Sequence, residues 1–215
     1  MKHKNIIDDG YYSFLVNGAG FEGQYQIPFI KEQKIEIPKA LIPFEKRRQT
    51  KNKHQALHFY QHDTTFRQIL TATDRYIEEL ALFDCVISPD FSLYFDMPLV
   101  LQITNTYFNR AVGYYLQSKG IKVIPNIRWS TKKSFPFCFD GVPEKHIYSI
   151  STHGCIKSNE SKYHFRQGLE QMLIRLRPKT VLVHGWMPDT IFKDYLKETE
   201  FHNYYSLIAV NRGRK

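Results

Sequence analysis

Apolar positions fall into two regimes along the chain. Over residues 1–54 they are scattered among Gly10, Gly18, Gly20 and Gly23 and then Pro28, Pro38 and Pro43. Such punctuation leaves room only for short strands and turns. From residue 55 the pattern becomes regular. Short apolar runs predict strands at 56–60, 85–87, 121–124, 146–150, 180–183 and 205–210. Helical spacing between them predicts helices over about 64–81, from Pro98 to a stop at Gly120, from Ser161 to Pro178, and from Pro188 onward. The clearest is the second, where Tyr107, Phe108, Ala111, Val112, Tyr115 and Leu116 recur on one face. Strands alternating with helices imply parallel pairing through right-handed crossovers. The expected fold is therefore α/β with a mainly parallel sheet, either open and doubly wound or an incomplete barrel. An irregular N-terminal arm, 1–54, precedes and packs on an α/β core, 55–215, in one domain overall.

Composition narrows the class. The chain has 215 residues, 42% hydrophobic and 24% charged, which suits one soluble globular domain and excludes disorder and collagen-like repeats. No run approaches about 18 apolar residues, and Met1-Lys2-His3-Lys4 is not followed by an apolar signal core. Neither a membrane partner nor secretion is expected. Cys85, Cys138 and Cys155 are odd in number and lack CxxC spacing, which argues against a disulfide framework or a structural zinc site and for a cytoplasmic location. Lys and Arg number 30 against 21 Asp and Glu, a net charge of +9. That surplus suits an anionic partner without choosing one. The densest basic run, Lys46 to His54, reads as a solvated loop or as a phosphate-contacting loop in which Arg47 and Arg48 are candidate contacts. Fourteen Tyr and 16 Phe supply core, and on a basic protein also stacking faces for bases. Arg212, Arg214 and Lys215 would add a basic tail.

In parallel α/β folds the working groups gather at the carboxyl ends of the strands. Gln61-His62-Asp63, Ser88-Pro89-Asp90-Phe91-Ser92, Pro125-Asn126-Ile127-Arg128-Trp129-Ser130, Ser151-Thr152-His153-Gly154-Cys155 and His184-Gly185-Trp186 occupy those ends. Asp63 and Asp90 can instead cap the helices that follow. His153 and His184 each precede a glycine that lets backbone approach a ligand. Asp90, His153 and His184 are the candidate acid/base or metal-binding centre. Asn126, Arg128, Trp129 and Trp186 are candidate ligand contacts, Arg128 for a phosphate and the indoles for stacking. His62, Asp63, Asp90, His153 and His184 together suit a divalent metal, although no HxH or HExxH spacing is present. Cys155 is a weaker candidate nucleophile, its pKa lowered if the helix begins near Ser161. Gly18-Ala19-Gly20-Phe21-Glu22-Gly23 lacks the strand–loop–helix setting and the Lys-Ser/Thr ending of a phosphate loop, so a turn-rich arm is the better reading.

Several longer stretches carry a resemblance. Asn17-Gly18-Ala19-Gly20-Phe21, Ser88-Pro89-Asp90-Phe91-Ser92, Asp96-Met97-Pro98, Asn105-Thr106-Tyr107, Asn109-Arg110, Ile124 to Ser130, Phe137 to Pro143 and Ser151 to Cys155 resemble the family catalogued as domain of unknown function 4417. The resemblance spans nearly the whole chain. It implies a single domain and a setting in bacteria, their phages and plasmids, and it brings no catalytic residues with it.

These features suggest a basic, mobile-element-associated protein that binds or processes nucleic acid or nucleotides through the strand-end crevice. If it is an enzyme, a metal-assisted hydrolase of phosphodiesters or nucleotides is expected, with a divalent metal the candidate cofactor. The alternative is a non-catalytic phage or plasmid protein that blocks a host protein or signalling molecule. Glycoside chemistry is a weaker third reading, because no Glu stands at a strand end to pair with Asp90.

Overall fold

A computed structural model of the chain describes residues 10–205. Its arm opens with a small antiparallel pair, β1 (Phe21–Glu22) and β2 (Ile27–Pro28). It then contributes a strand that the sequence pattern did not show, β3 (Leu41–Pro43), which pairs in parallel with β4 (Ala56–His58). Next come α1 (Asp63–Phe66), α2 (Ile77–Leu80), β5 (Cys85–Ile87), α3 (Leu99–Ser118), β6 (Val123–Ile124), α4 (Phe135–Cys138), β7 (Ile147–Ser151), α5 (Asn159–Leu176), β8 (Thr180–His184), α6 (Asp189–Phe192) and β9 (Glu200–Tyr204). Among the described residues no helix is long and apolar enough to cross a membrane.

Strands β3 to β6 form one parallel sheet in sequential order, and β7 to β9 form another. A parallel bridge between Asn126 and Ser149 joins them, with Ile127 N donating to Ser149 O at 2.8 Å and Ser149 N to Pro125 O at 2.9 Å. The order never reverses, so the sheet has no topological switch point and is not doubly wound. It is strongly curled. Four strand spacings separate β4 from β8, about 19 Å in a flat sheet. Yet the ring of Tyr60, just beyond β4, stacks on His184 of β8 with centroids 4.7 Å apart. The inner face gathers Ala56, Cys85, Ile87, Ile124, Ile147 and Leu182, with Leu41 and Tyr204 against them, so every parallel strand sends a residue inward. Tyr204 Oη donates to Pro38 O at 2.5 Å across the seam between β9 and β3. Of the two expected architectures, this is the incomplete barrel.

Residues between the inward ones point outward into two further cores. Leu57, Val86 and Val123 pack under α3. Tyr148, Ile150, Val181 and Val183 pack under α5. This strict alternation is why strands of two to five residues suffice: each side chain is committed to one core.

Three element boundaries differ from expectation. The helix expected over 64–81 is α1 and α2 with single 3-10 turns between them (Arg67–Ile69 and Thr73–Tyr76). Thr71 Oγ1 donates to Gln68 O at 3.3 Å and Thr73 Oγ1 donates to Ile69 O, and such hydroxyl bonds compete with a continuous helical ladder. The helix expected to be headed by Ser161 begins at Asn159. Ser158 is its N-cap, and Ser161 closes a reciprocal capping box from the third position. The last strand is Glu200–Tyr204; residues 206–210 of the expected strand, and the basic tail of Arg212, Arg214 and Lys215, lie outside the described residues.

Glycine decides how closely α5 approaches the site. A Cβ built on Gly168 would lie 2.1 Å from Cδ1 and Nε1 of Trp129. Replacing it with Ala gains about 1 kcal/mol of helix propensity but overpacks the indole, at a cost of about 1–3 kcal/mol. Gly168→Ala should therefore lower the thermal midpoint; an unchanged or raised midpoint would show that Trp129 has room to move.

Candidate functional site

Along four strands the inward positions change from apolar to polar toward the carboxyl end. The series are Ala56, His58, Tyr60; Ile124, Asn126, Arg128; Ile147, Ser149, Ser151, His153; and Leu182, His184. Period-two geometry places each series on one face, and the curl of the sheet brings their ends together. Above them opens a cavity of about 700 Å³. His58, Tyr60, Asp90, Arg128, His153 and His184 are among its lining residues.

A chain of hydrogen bonds runs under this cavity. Tyr60 Oη lies 2.6 Å from Ser149 Oγ and donates to Asn126 Oδ1 at 3.1 Å. Asn126 Nδ2 donates to Asp90 Oδ1 at 2.8 Å, and Arg128 Nη1 donates to Asp90 Oδ2 at 3.2 Å. Burial pushes the Asp90 carboxyl up from its ordinary value, with Arg128 and the Asn126 amide opposing. Burial is the largest single influence and works against the Arg128 charge, but Asp90, Cys155, Tyr60 and Asp63 together outweigh it, so the guanidinium is raised. Among the described residues Arg128 is hydrogen-bonded through Nη1 alone, and Nε and Nη2 have no partner there. The side chain is 18% exposed.

Beside this chain sits a group of imidazoles. His58 and His184 rings lie 4.7 Å apart, and His153 lies 6.1 Å from His184. Tyr60 N donates to His58 Nδ1 at 3.1 Å, and His184 Nδ1 is 3.1 Å from Ser151 Oγ. Burial holds His58 well below 6.5, with His184 adding to the effect. Burial takes His184 down to about 3, with His153 adding to it. His153, at the rim, is lowered by burial and then by Lys157, Arg128 and His62. At neutral pH this part of the wall is therefore uncharged and rich in ring nitrogens.

Of the residues singled out from sequence, the fold brings Asp90, Arg128, Trp129, His153, His184 and His62 to the cavity. Asn126 is completely buried beneath it and acts through Asp90 and Tyr60. Others are placed elsewhere. Asp63 neither caps α1 nor faces the cavity. Its carboxylate accepts from Ser92 N at 3.1 Å and Ser92 Oγ at 2.7 Å, pinning the loop that carries Asp90. Trp186 is 62% exposed and outside the cavity lining. Arg47 Nε donates to Glu79 at 2.7 Å while its guanidinium stacks on Phe44 and Tyr76, and Arg48 pairs with the same Glu79. From the basic run only Lys46 lines the cavity. Among the described residues no three His, Cys, Asp or Glu side chains are arranged to hold a metal. Burial raises the Cys155 thiol, away from the thiolate that a nucleophile needs. Gly18 and Gly23 serve turns, and Tyr114 Oη donates to Asn17 O at 3.1 Å.

Sequence reasoning missed His58 and Tyr60, which lie inside a predicted strand, and placed Ser151 at a strand end without giving it a role. Extending the period-two inward series to its polar end would have found them. Lys157 and His164, which reach the cavity from before and within α5, carry no such signal.

A family model, domain of unknown function (DUF4417), matches residues 19–205. The chain belongs to that family. Two curated relatives are phage proteins. The Gene 1 protein of Mycobacterium phage D29 is 38% identical over 130 residues, 60% of this chain and 48% of the relative. The Gene 1 protein of Mycobacterium phage L5 is 34% identical over 150 residues, 70% of this chain and 66% of the relative. The chain thus spans about half the length of the first and just under two thirds of the second. No solved structure matches. The matched region of this DUF4417 chain includes all the parallel strands and every cavity residue named above.

Proposed function

We propose that the cavity binds a phosphate-bearing ligand of nucleotide size, either a free nucleotide or the terminal nucleotide of a single strand. The uncommitted guanidinium edge of Arg128, facing a cavity of about 700 Å³, carries this reading. Planar guanidinium donors match phosphate oxygens. The volume falls in the range of small-molecule sites and is too small to take a double helix. Lys46 and Lys157 add positive charge, while Trp129, Tyr94 and Phe95 offer ring faces for a base.

Fluorescence titration with nucleoside monophosphates and short single-stranded oligonucleotides, in a Trp186→Phe background that isolates Trp129, tests it. Saturable binding that weakens steeply with salt is expected. Arg128→Lys keeps a charge near Asp90 but loses the planar fork, and should weaken binding about ten-fold. Running the oligonucleotide products on a gel, with EDTA or Mg²⁺, separates binding from hydrolysis. No saturable binding at low salt would overturn the proposal.

One observation favours the alternative of a protein partner. Tyr94, Phe95, Leu99, Val100 and Leu101 form an exposed apolar stretch beside the cavity mouth. Binding through that stretch would be nearly indifferent to salt, in contrast to phosphate binding.

A further inference from the structure

His58 was not among the residues that the sequence marked, yet its surroundings fix its chemistry. The side chain is 4% exposed and lines the cavity. The backbone N–H of Tyr60 donates to Nδ1 at 3.1 Å. A nitrogen that accepts a hydrogen bond carries no proton, so the ring proton must sit on Nε2. No described residue is hydrogen-bonded to that Nε2, and it is not sealed from the cavity. The donor of the contact is main chain, from a residue whose ring is held by His184, Asn126 and Ser149. The tautomer is therefore set by the backbone rather than by a mobile side chain.

We propose that His58 Nε2–H is a neutral hydrogen-bond donor of fixed tautomer, which binds an oxygen of the cavity's phosphate-bearing ligand alongside Arg128. This rests on the reading of the cavity given above and names a further contact for it. A neutral donor in a buried wall gives direction without adding charge. Arg128 and the lysines supply attraction, whereas His58 selects an oxygen acceptor at one place on the floor. Burial and the neighbouring His184 keep the ring from taking a second proton, so the donor persists through the mildly acidic range.

The test is a long-range ¹H–¹⁵N correlation spectrum of the full chain labelled with ¹⁵N-histidine, recorded during titration with inorganic phosphate. His58 signals are assigned by their loss in His58→Phe. In the free protein His58 should show a protonated Nε2 and a bare Nδ1, and phosphate should shift the Nε2 resonance saturably. Phosphate affinity should fall about ten-fold or more in His58→Phe; if that variant does not fold, selective unlabelling of the parent spectrum carries the test. A protonated Nδ1 would overturn the proposal. So would a His58 signal that stays fixed while Trp129 fluorescence reports phosphate binding, and the parent reading would then survive. Phosphate that moves neither signal would remove both.

Discussion

Between pH 6.5 and pH 4.5 the protein should lose about 2–3 kcal/mol of stability from His184 alone, with His58 adding to the loss. His58 and His184 are each 4% exposed, and their rings lie 4.7 Å apart. Both are depressed below the ordinary imidazole value, His184 to about 3. A depressed base is neutral in the folded state and takes up a proton on unfolding. Its contribution is therefore intact above pH 6.5 and erodes as the pH falls toward the folded-state value. Such a group costs about 1.4 kcal/mol per pH unit once the unfolded imidazole is protonated, so two units give the figure above for His184, and His58 acts in the same direction. The whole stability of a domain is about 5–15 kcal/mol. His146 and His153, also lowered, push the same way to a smaller degree. Buried Asp90 and Asp140 are raised, so they oppose the loss, chiefly at the acid end of the range. Urea denaturation at pH 7.0, 5.5 and 4.5 checks this. A midpoint that stays flat over that range would mean that the imidazoles are charged, and accommodated, in the native protein.

Arg110→Met should cost about 3–5 kcal/mol, enough to leave little folded protein. Arg110 is 1% exposed and lies on the buried face of α3. Its Nε donates to Asp140 O at 3.0 Å, Nη2 to Cys138 O at 3.0 Å, and Nη1 to Asn109 Oδ1 at 2.6 Å and Asn126 O at 2.8 Å. Burial brings the guanidinium down from 12.5 to about 10, with Cys138 and Asp140 opposing, so it stays charged at neutral pH. Methionine fills the space but strands the carbonyls of Cys138 and Asp140 without a donor. Lysine keeps the charge and lacks the fork that reaches several carbonyls at once. Because Asn126 also holds Asp90 and Tyr60, any folded Arg110→Lys should bind the cavity's ligand more weakly as well. Denaturation followed by circular dichroism decides the matter, and a loss under 1 kcal/mol would show that water replaces the lost donors.

Local chemistry made part of this molecule legible. Short apolar runs marked β4 to β8, and Pro98 and Gly120 bracketed α3, because those signals act within a few residues. That Asp90, Arg128 and His184 share one cavity was legible because strand ends in parallel α/β folds face one crevice. The same reasoning could not separate Asp90 from Asp63. Both carboxylates sit at loop-to-helix junctions, and only the partners they meet in space differ: Arg128 and Asn126 for one, Ser92 for the other. Likewise Arg47 and Arg48 read as free charge until Glu79, on α2, is brought against them.

By itself, the sequence determined the alternation of strands and helices, the surplus of positive charge and which side chains share a strand face, since each depends on spacing and residue type alone. Tertiary structure decided that the sheet curls instead of lying open, because curvature is set by how all the strands share one interior. That curl carries His184 across to Tyr60 and His58, buries those two imidazoles against each other with His153 at the rim, and leaves one edge of Arg128 facing the cavity. Burial and proximity between residues far apart in the chain have no local signature, and in this protein they bring scattered strand-end residues to one cavity.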